Sequence, residues 1–281
     1  MYQTYFKICM AVTLINVRLW SELFHLLPLS KETKETMTMS ALAIGLQCFW
    51  ASQFQISQAL DPGMAKAWNE IAATLKKGRS VFLLVNHVSK LDGLLMAMLA
   101  PVSILQKCKT LMMHRLFNAF LTGRIWKLCG HLPVYFKSDE HGKFSVDKER
   151  QAGVNTQLKE FLGKGRILIF CPEGQINKDP KTLQPFRRGS FAMPAEMGMD
   201  IWAFTTHNCD KVWPKDADMG GFPTTVKVTL TKLMDGDETK ADTPEEIKAA
   251  CVTMASKCQS RMQVVVDKYY ATEQGDSKKS Q

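Results

Sequence analysis

Several signatures that would fix a function at once are missing. Neither G-x-G-x-x-G nor G-x-x-x-x-G-K-[ST] occurs in the 281 residues, so dinucleotide-binding and P-loop readings have no motif to stand on. No two of the eight cysteines form C-x-x-C, which removes thioredoxin-like and zinc-ribbon patterns. Most of them sit in apolar runs, as Cys129 and Cys171 do, and they read as buried free thiols in a reducing compartment. No N-x-S/T sequon and no cleavable signal peptide is found, which agrees with a cytosolic face. There is no internal repeat and no low-complexity tract. A clean membrane span is missing too, because the first apolar stretch carries Arg18 and Glu22 near its middle.

What is present describes an ordinary folded chain with one biased region. Hydrophobic residues make up 46% and charged residues 22%, enough to bury one large core. The formal net charge is +9. Residues 61–190 carry a net +11, whereas residues 191–281 carry −3. A positive excess in the middle of the chain points to an anionic partner there. A nucleic-acid surface would interleave aromatics with Lys and Arg or show a known motif. Neither is evident, and no nucleic-acid partner is expected.

Hydrophobic spacing divides the chain. Ile8, Val12, Ile15, Leu19, Leu23 and Leu26 recur at intervals of three and four, one apolar stripe of a helix over 5–29. Residues 36–60 are free of charge but broken by glutamines. Together they predict an amphipathic helical hairpin, joined by the charged turn 30–35, that packs on a core or lies in a membrane interface. Asp61-Pro62-Gly63 is a break, placing this unit at 1–62. Beyond it strands at 81–85, 108–113, 132–136, 166–171, 201–206 and 224–230 alternate with helices at 91–100, 116–129, around 154–162 and 187–198. That predicts an α/β domain over 63–232 with a mainly parallel sheet flanked by helices. Thr243-Pro244-Glu245-Glu246 opens a last helix, expected to pack on the core within 233–271, ahead of a mobile polar tail at 272–281.

Two polar constellations follow strands. Strand 81–85 runs into Asn86-His87-Val88-Ser89-Lys90-Leu91-Asp92. Positions five apart on a continuous helix diverge by about 140°, so His87 and Asp92 meet only through a turn. If they meet, the carboxylate fixes the imidazole tautomer and frees the other nitrogen to take a proton from an alcohol. On spacing alone the plainer reading, a loop histidine beside a helix-capping aspartate, is the stronger. Strand 166–171 leads to Pro172-Glu173-Gly174, a rigid turn expected to present Glu173 outward. Farther on, Phe186-Arg187-Arg188-Gly189-Ser190-Phe191 sets two arginines before a helix, an anion site.

Asn86-His87-x4-Asp92, the segment Gly130 to Lys137, the Pro172-Glu173-Gly174 turn and Phe186-Arg187-Arg188-Gly189-Ser190-Phe191 resemble, in order and spacing, the four blocks of the glycerolipid acyltransferases. Lys211-Val212-Trp213-Pro214 is similar to the same family. The resemblance spans roughly 80–215. It implies an O-acyltransferase that moves a fatty acyl group from an acyl thioester, acyl-CoA or acyl carrier protein, to a lysophospholipid hydroxyl. The implied acceptor is 1-acyl-sn-glycerol 3-phosphate, with other lysophospholipids or glycerol 3-phosphate as alternatives. In this reading His87 is the base, Asp92 orients it, and Asn86, Lys137, Glu173, Gly174, Lys178, Arg187 and Arg188 bind substrate. No metal and no cofactor beyond the acyl-CoA co-substrate is implied.

The sequence departs from the family pattern at two places. Gln175 and Ile176 follow the Glu-Gly pair where the family commonly has Thr-Arg, and Lys137 stands where an Arg is usual; Lys178 or Arg187 is then expected to meet the acceptor phosphate. A silent membrane-binding protein of the same fold and an acyl thioesterase are the competing classes. The ending Lys278-Lys279-Ser280-Gln281 resembles a dilysine retrieval signal, which favours the endoplasmic-reticulum membrane over a plastid envelope.

Overall fold

Val81-Phe82-Leu83-Leu84-Val85 has no polar side chain, and it occupies a position that tolerates none. This strand is fully buried, with Val81, Leu83 and Val85 facing one core and Phe82 and Leu84 the other, as the period-two pleat requires. In the computed structural model, which describes residues 1–138 and 144–279, the rest of the chain is arranged around it. The elements are α1 (Tyr2–Leu26), α2 (Lys31–Ala51), β1 (Ser57–Leu60), α3 (Met64–Lys76), β2 (Val81–Val85), α4 (Asp92–Leu99) and α5 (Val102–Leu105). Next come β3 (Cys108–Met113), α6 (Thr122–Leu128), β4 (Leu132–Val134), β5 (Phe136–Ser138), β6 (Phe144–Val146), α7 (Lys148–Leu162) and β7 (Ile167–Phe170). The chain continues through α8 (Ala192–Met197), β8 (Asp200–His207), α9 (Cys209–Val212), β9 (Thr225–Met234), α10 (Gly236–Thr239) and α11 (Pro244–Lys279).

Seven strands form one sheet in the order β1-β9-β8-β2-β7-β3-β4, and only the β8–β9 pair is antiparallel. The helices α1 to α4 and α6 cover one face, while α7, α8 and α11 cover the other. The expected α/β class with a mainly parallel sheet is therefore the observed one. Because β7, β2 and β8 are parallel neighbours, the loops after all three leave the same edge at the centre of the sheet, where ligands bind in open α/β folds.

Several boundaries differ from the sequence reading. The second helix ends at Ala51, and residues 57–60 are a strand whose pairing with β9 carries the sheet back across the expected boundary at 62. Ser30 lies not in a turn reaching Glu35 but at the N-cap of α2, accepting from the Thr33 amide at 3.2 Å. Residues 116–129 split into a 3-10 turn (His114–Asn118) and α6, because Gly123 folds back so tightly that a Cβ there would stand 2.5 Å from the Phe117 carbonyl. The expected strand 132–136 breaks after Val134, and Phe136–Ser138 pairs instead with β6 in a separate two-stranded ribbon. Around 187–198 a 3-10 turn precedes α8, which Gly198 closes with φ +59°. Finally α11 runs on to Lys279, through most of the stretch expected as a tail, since 271–279 contain no proline and one glycine; residues 280 and 281 lie outside the described residues.

A choice the sequence leaves open, between packing on the core and facing a membrane interface, concerns α1. Its inward face is Phe6, Met10, Leu14 and Val17, on the far side of the helix from the stripe read in the sequence. Ile8, Val12, Ile15, Leu19, Leu23 and Leu26 all point away from the protein, Leu19 being 64% and Leu26 81% exposed. The helix is apolar on two faces, and the partner decides which one packs. Gly45 of α2 lets Val17 approach so closely that a Cβ would lie 2.7 Å from Val17 Cγ2. Arg18 and Glu22 fix the outer edge: Arg18 donates to the Phe120 carbonyl at 3.0 Å, and Arg124 grips both Glu22 oxygens at 2.8 and 3.0 Å.

His131, buried beside β3, accepts from the Thr110 amide through Nδ1 at 3.2 Å. Burial, helped by Lys109, lowers its pKa to about 4. The unfolded chain binds that proton near the ordinary value of about 6.5, so the native state is disfavoured as pH falls from there towards 4, by roughly 1.4 kcal/mol per pH unit at the steepest. Urea unfolding between pH 7 and 4.5 will show this loss, and His131→Gln will flatten it. An equal slope in both proteins would assign the loss to other groups.

Candidate active site

The last residue of β2 pairs with Phe204 of β8, and Asn86 extends that ladder by one step with its side chain. Its Nδ2 donates to the Thr206 carbonyl at 2.9 Å and its Oδ1 accepts from the Thr206 amide at 2.8 Å. The chain then turns through 87–91 before α4 begins at Asp92. This is the turn that the five-residue spacing demanded.

Asp92 is wholly buried. One oxygen, Oδ2, accepts from the amides of Val88 and Ser89, both at 2.7 Å, and faces His87 Nδ1 at 3.2 Å. The Thr206 hydroxyl lies 3.2 Å from the other oxygen and 3.1 Å from Asn86 Oδ1, within reach of either with its single hydrogen. A carboxylate can only accept, so the imidazole proton belongs on Nδ1 and the Nε2 lone pair is free. With its side chain 26% exposed, His87 is open to solvent on one side only. The thiol of Cys209, buried beside Asp92, is held far above the ordinary range by burial and by that neighbouring charge. It stays protonated and is no nucleophile.

Glu173 does not point outward. It is 1% exposed, and its carboxylate is engaged by three donors: the His87 amide at 2.8 Å, the Asn177 carboxamide at 2.8 Å and the Gln184 amide at 2.9 Å. Burial pushes its pKa up against the opposing pull of these donors. Asn177 also donates its own amide to the His87 carbonyl at 2.6 Å. Both backbone polar groups of His87 are thus fastened to the 171–186 loop. The reason for the inward turn is Gly174, at φ +72°, which reverses the chain and leaves room for Arg187 to lie across it: a Cβ would meet Arg187 Nε at 3.0 Å.

The other sequence candidates fall into two groups. Asn86 is buried, with both ends of its carboxamide bonded to Thr206. Lys137, Lys178, Arg187 and Arg188 are exposed, and none is hydrogen-bonded or ion-paired to His87, Asp92 or Glu173; Arg187 alone is brought against the Glu-Gly turn. Sequence reasoning missed Thr206, Ser89, Asn177 and Gln184. Ser89 ties the catalytic turn to the loop after α9, donating to the Trp213 carbonyl at 2.7 Å. The one available signal was Thr205-Thr206-His207, a polar end on an otherwise apolar strand. Among the described residues no three His, Cys, Asp or Glu side chains converge as metal ligands would.

Residues 70–206 match the family model described as Acyltransferase, a segment holding His87, Asp92, Glu173, Arg187 and Thr206. That segment is an acyltransferase domain. Its fold is similar to that in the crystal structure of the 1-acyl-sn-glycerophosphate (LPA) acyltransferase PlsC from Thermotoga maritima, with a TM-score of 0.64 over 93% of this chain and 95% of that one, at 13% identity. At that identity the likeness is one of fold. No curated protein sequence matches the chain.

The fastening of His87 generates a prediction for the family activity. Glu173→Gln puts an amide donor opposite the donors of Asn177 and Gln184, so His87 is displaced while the acceptor pocket keeps its charges. We expect kcat to fall about 10- to 100-fold with the acceptor KM nearly unchanged, measured by steady-state kinetics. A rise confined to the acceptor KM would return Glu173 to the acceptor site.

Proposed function

We propose that this acyltransferase moves a fatty acyl group from acyl-CoA to the free hydroxyl of a lysophospholipid, with 1-acyl-sn-glycerol 3-phosphate as acceptor and phosphatidate as product. The observation that carries the reading is the half-open imidazole of His87 held by buried Asp92 at the central edge of the sheet. The acceptor hydroxyl gives its proton to His87 Nε2 as its oxygen attacks the thioester carbonyl carbon. The C–O ester bond forms, the C–S bond breaks, and the imidazolium returns the proton to the departing thiolate. Asp92 keeps Nδ1 oriented and offsets the imidazolium charge. No acyl-enzyme is needed, which suits a site whose nearest thiol is buried and protonated. Arg187, lying on Gly174 next to the dyad's anchor, is the group best placed to meet an acceptor phosphate, with Lys178, Arg188 and Lys137 as outer positive charge.

Both substrates are amphiphiles, and the outward stripe of α1 supplies a means of meeting them. No helix among the described residues is long and apolar enough to cross a membrane. The stripe instead suits a helix lying in one leaflet, where each such side chain gains roughly 1.5–3 kcal/mol on full burial. Exposed Phe120 adjoins it through the Arg18 contact. The basic middle of the chain adds attraction to anionic headgroups.

Two experiments test these readings. Purified protein incubated with acyl-CoA and a panel of lysophospholipids, read by mass spectrometry, should yield acylated lipid; free fatty acid alone would make it a thioesterase. In the same assay His87→Ala should cost roughly 100- to 10,000-fold with folding intact, and near-normal turnover would remove the base. For docking, removing residues 1–60 is a poor test, since it takes core residues and β1 with it. The paired change Ile15→Asp and Leu19→Asp touches only the outward stripe. It should lower co-flotation with anionic vesicles by about a hundredfold or more. Unchanged flotation would place the docking surface elsewhere.

A further inference from the structure

The C-terminal helix lies wholly outside the segment that matches the family, yet it touches the catalytic turn's supports on both sides. Gln259 and Gln263, one turn apart on α11, face the loop that follows Glu173. Gln263 accepts from the Leu183 amide at 2.8 Å and donates to the Lys181 carbonyl at 2.7 Å and to Asp267 at 2.8 Å. Gln259 donates to the Leu183 carbonyl at 3.2 Å and accepts from the Phe186 amide at 3.4 Å. The two carboxamides thus pair with the backbone of 181–186 much as a neighbouring strand would. Between these anchor points sits Gln184, whose amide donates to Glu173 Oε2, while Glu173 Oε1 holds the His87 amide.

The second flank is reached from the same helix. The Tyr269 hydroxyl bridges the Thr205 carbonyl at 3.2 Å and the Thr229 hydroxyl at 2.6 Å. The next residue in the chain, Thr206, is the one that holds Asn86 and stands against Asp92. One rigid element therefore braces the loop behind His87 and the strand end behind Asp92. Adhesion of α11 does not depend on these polar groups, because Cys251, Met254, Cys258, Met262 and Val266 bury a continuous stripe against the sheet.

We infer that Gln259, Gln263 and Tyr269 are positioning residues for the His87–Asp92 pair, acting through Leu183–Gln184–Glu173 and through Thr205–Thr206. The inference rests on the proposed acyl transfer for its kinetic consequence but not for its structural one. The test uses the full chain, comparing wild type with the double variant Gln259→Met, Gln263→Met and, separately, Tyr269→Phe. Hydrogen exchange is followed in peptides covering 81–92 and 173–186. In the double variant the amides of His87 and Gln184 should exchange at least about tenfold faster while those of α11 keep their protection and the melting temperature barely moves. In parallel kcat should fall about tenfold with the KM for acyl-CoA unchanged. Tyr269→Phe should slow kcat without altering exchange in 173–186.

Unaltered exchange at His87, or a kcat loss that only tracks a fall in melting temperature, overturns the inference. If the double variant does not fold, Gln263→Glu, which keeps the acceptor for Leu183 and loses the donor to Lys181, carries the same comparison. Should wild type transfer no acyl group to any lysophospholipid, the proposed function fails, and the exchange result still decides the bracing.

Discussion

A carboxylate taken out of water has to be met by donors on nearly every side, and in this protein that requirement builds the site. Asp92 has no exposed surface, and the amides of Val88 and Ser89, the His87 ring and the Thr206 hydroxyl surround it. Two of those donors are backbone groups of the turn itself, so the turn must close around Asp92 for the chain to fold without a buried unsatisfied charge. The histidine is then set in place by the same closure. Geometry and folding share one constraint: the acid that faces the imidazole is also the residue that shapes the loop carrying it.

Glu173 repeats the principle one strand over. It too is buried, and its three donors come from two stretches far apart in the chain: His87 from one, Asn177 and Gln184 from the other. A single carboxylate thus gathers the turn after β2 and the long irregular loop after β7. Loops of that length without secondary structure are ordinarily mobile. Here the polar ties at Glu173 on one side and at α11 on the other leave the 171–186 segment little freedom, which suits a loop that must keep Arg187 and the His87 backbone in fixed relation.

Much of this was legible in the sequence, and the exceptions have physical causes. Strands such as 81–85 announce themselves because a buried parallel strand must be apolar throughout. His87 and Asp92 stood out only with the later blocks that complete the resemblance, since spacing alone favours a loop histidine beside a capping aspartate. Glu173 was found as a residue but turned the wrong way. A lone acid between Pro and Gly looks presented to solvent, and nothing local reveals that three donors converge on it from 4, 11 and 86 residues away. The pairing of Asn86 was hidden for a similar reason, as its partner Thr206 is 120 residues distant. The α1 stripe was read as apolar, with its direction, core or membrane interface, left open. Periodicity detects a face, but the choice between two apolar faces was made by Gly45 across the hairpin, a tertiary fact.

That choice ties the two ends of the argument together. Phe6, on the inner face of α1, packs edge-on against Phe49 and Trp213 with ring centroids 5.0 and 6.2 Å apart, and a Cβ on Gly221 would collide with it at 2.6 Å. The carbonyl of that same Trp213 takes the Ser89 hydroxyl, inside the catalytic turn. A helix that offers six apolar side chains outward is therefore locked, through one indole, to the loop that carries His87. Had α1 packed on its other face, the outward surface would have been Phe6, Met10, Leu14 and Val17, and Trp213 would have lost its inner neighbour. The observed packing leaves the apolar stripe outward while the turn around His87 keeps its support.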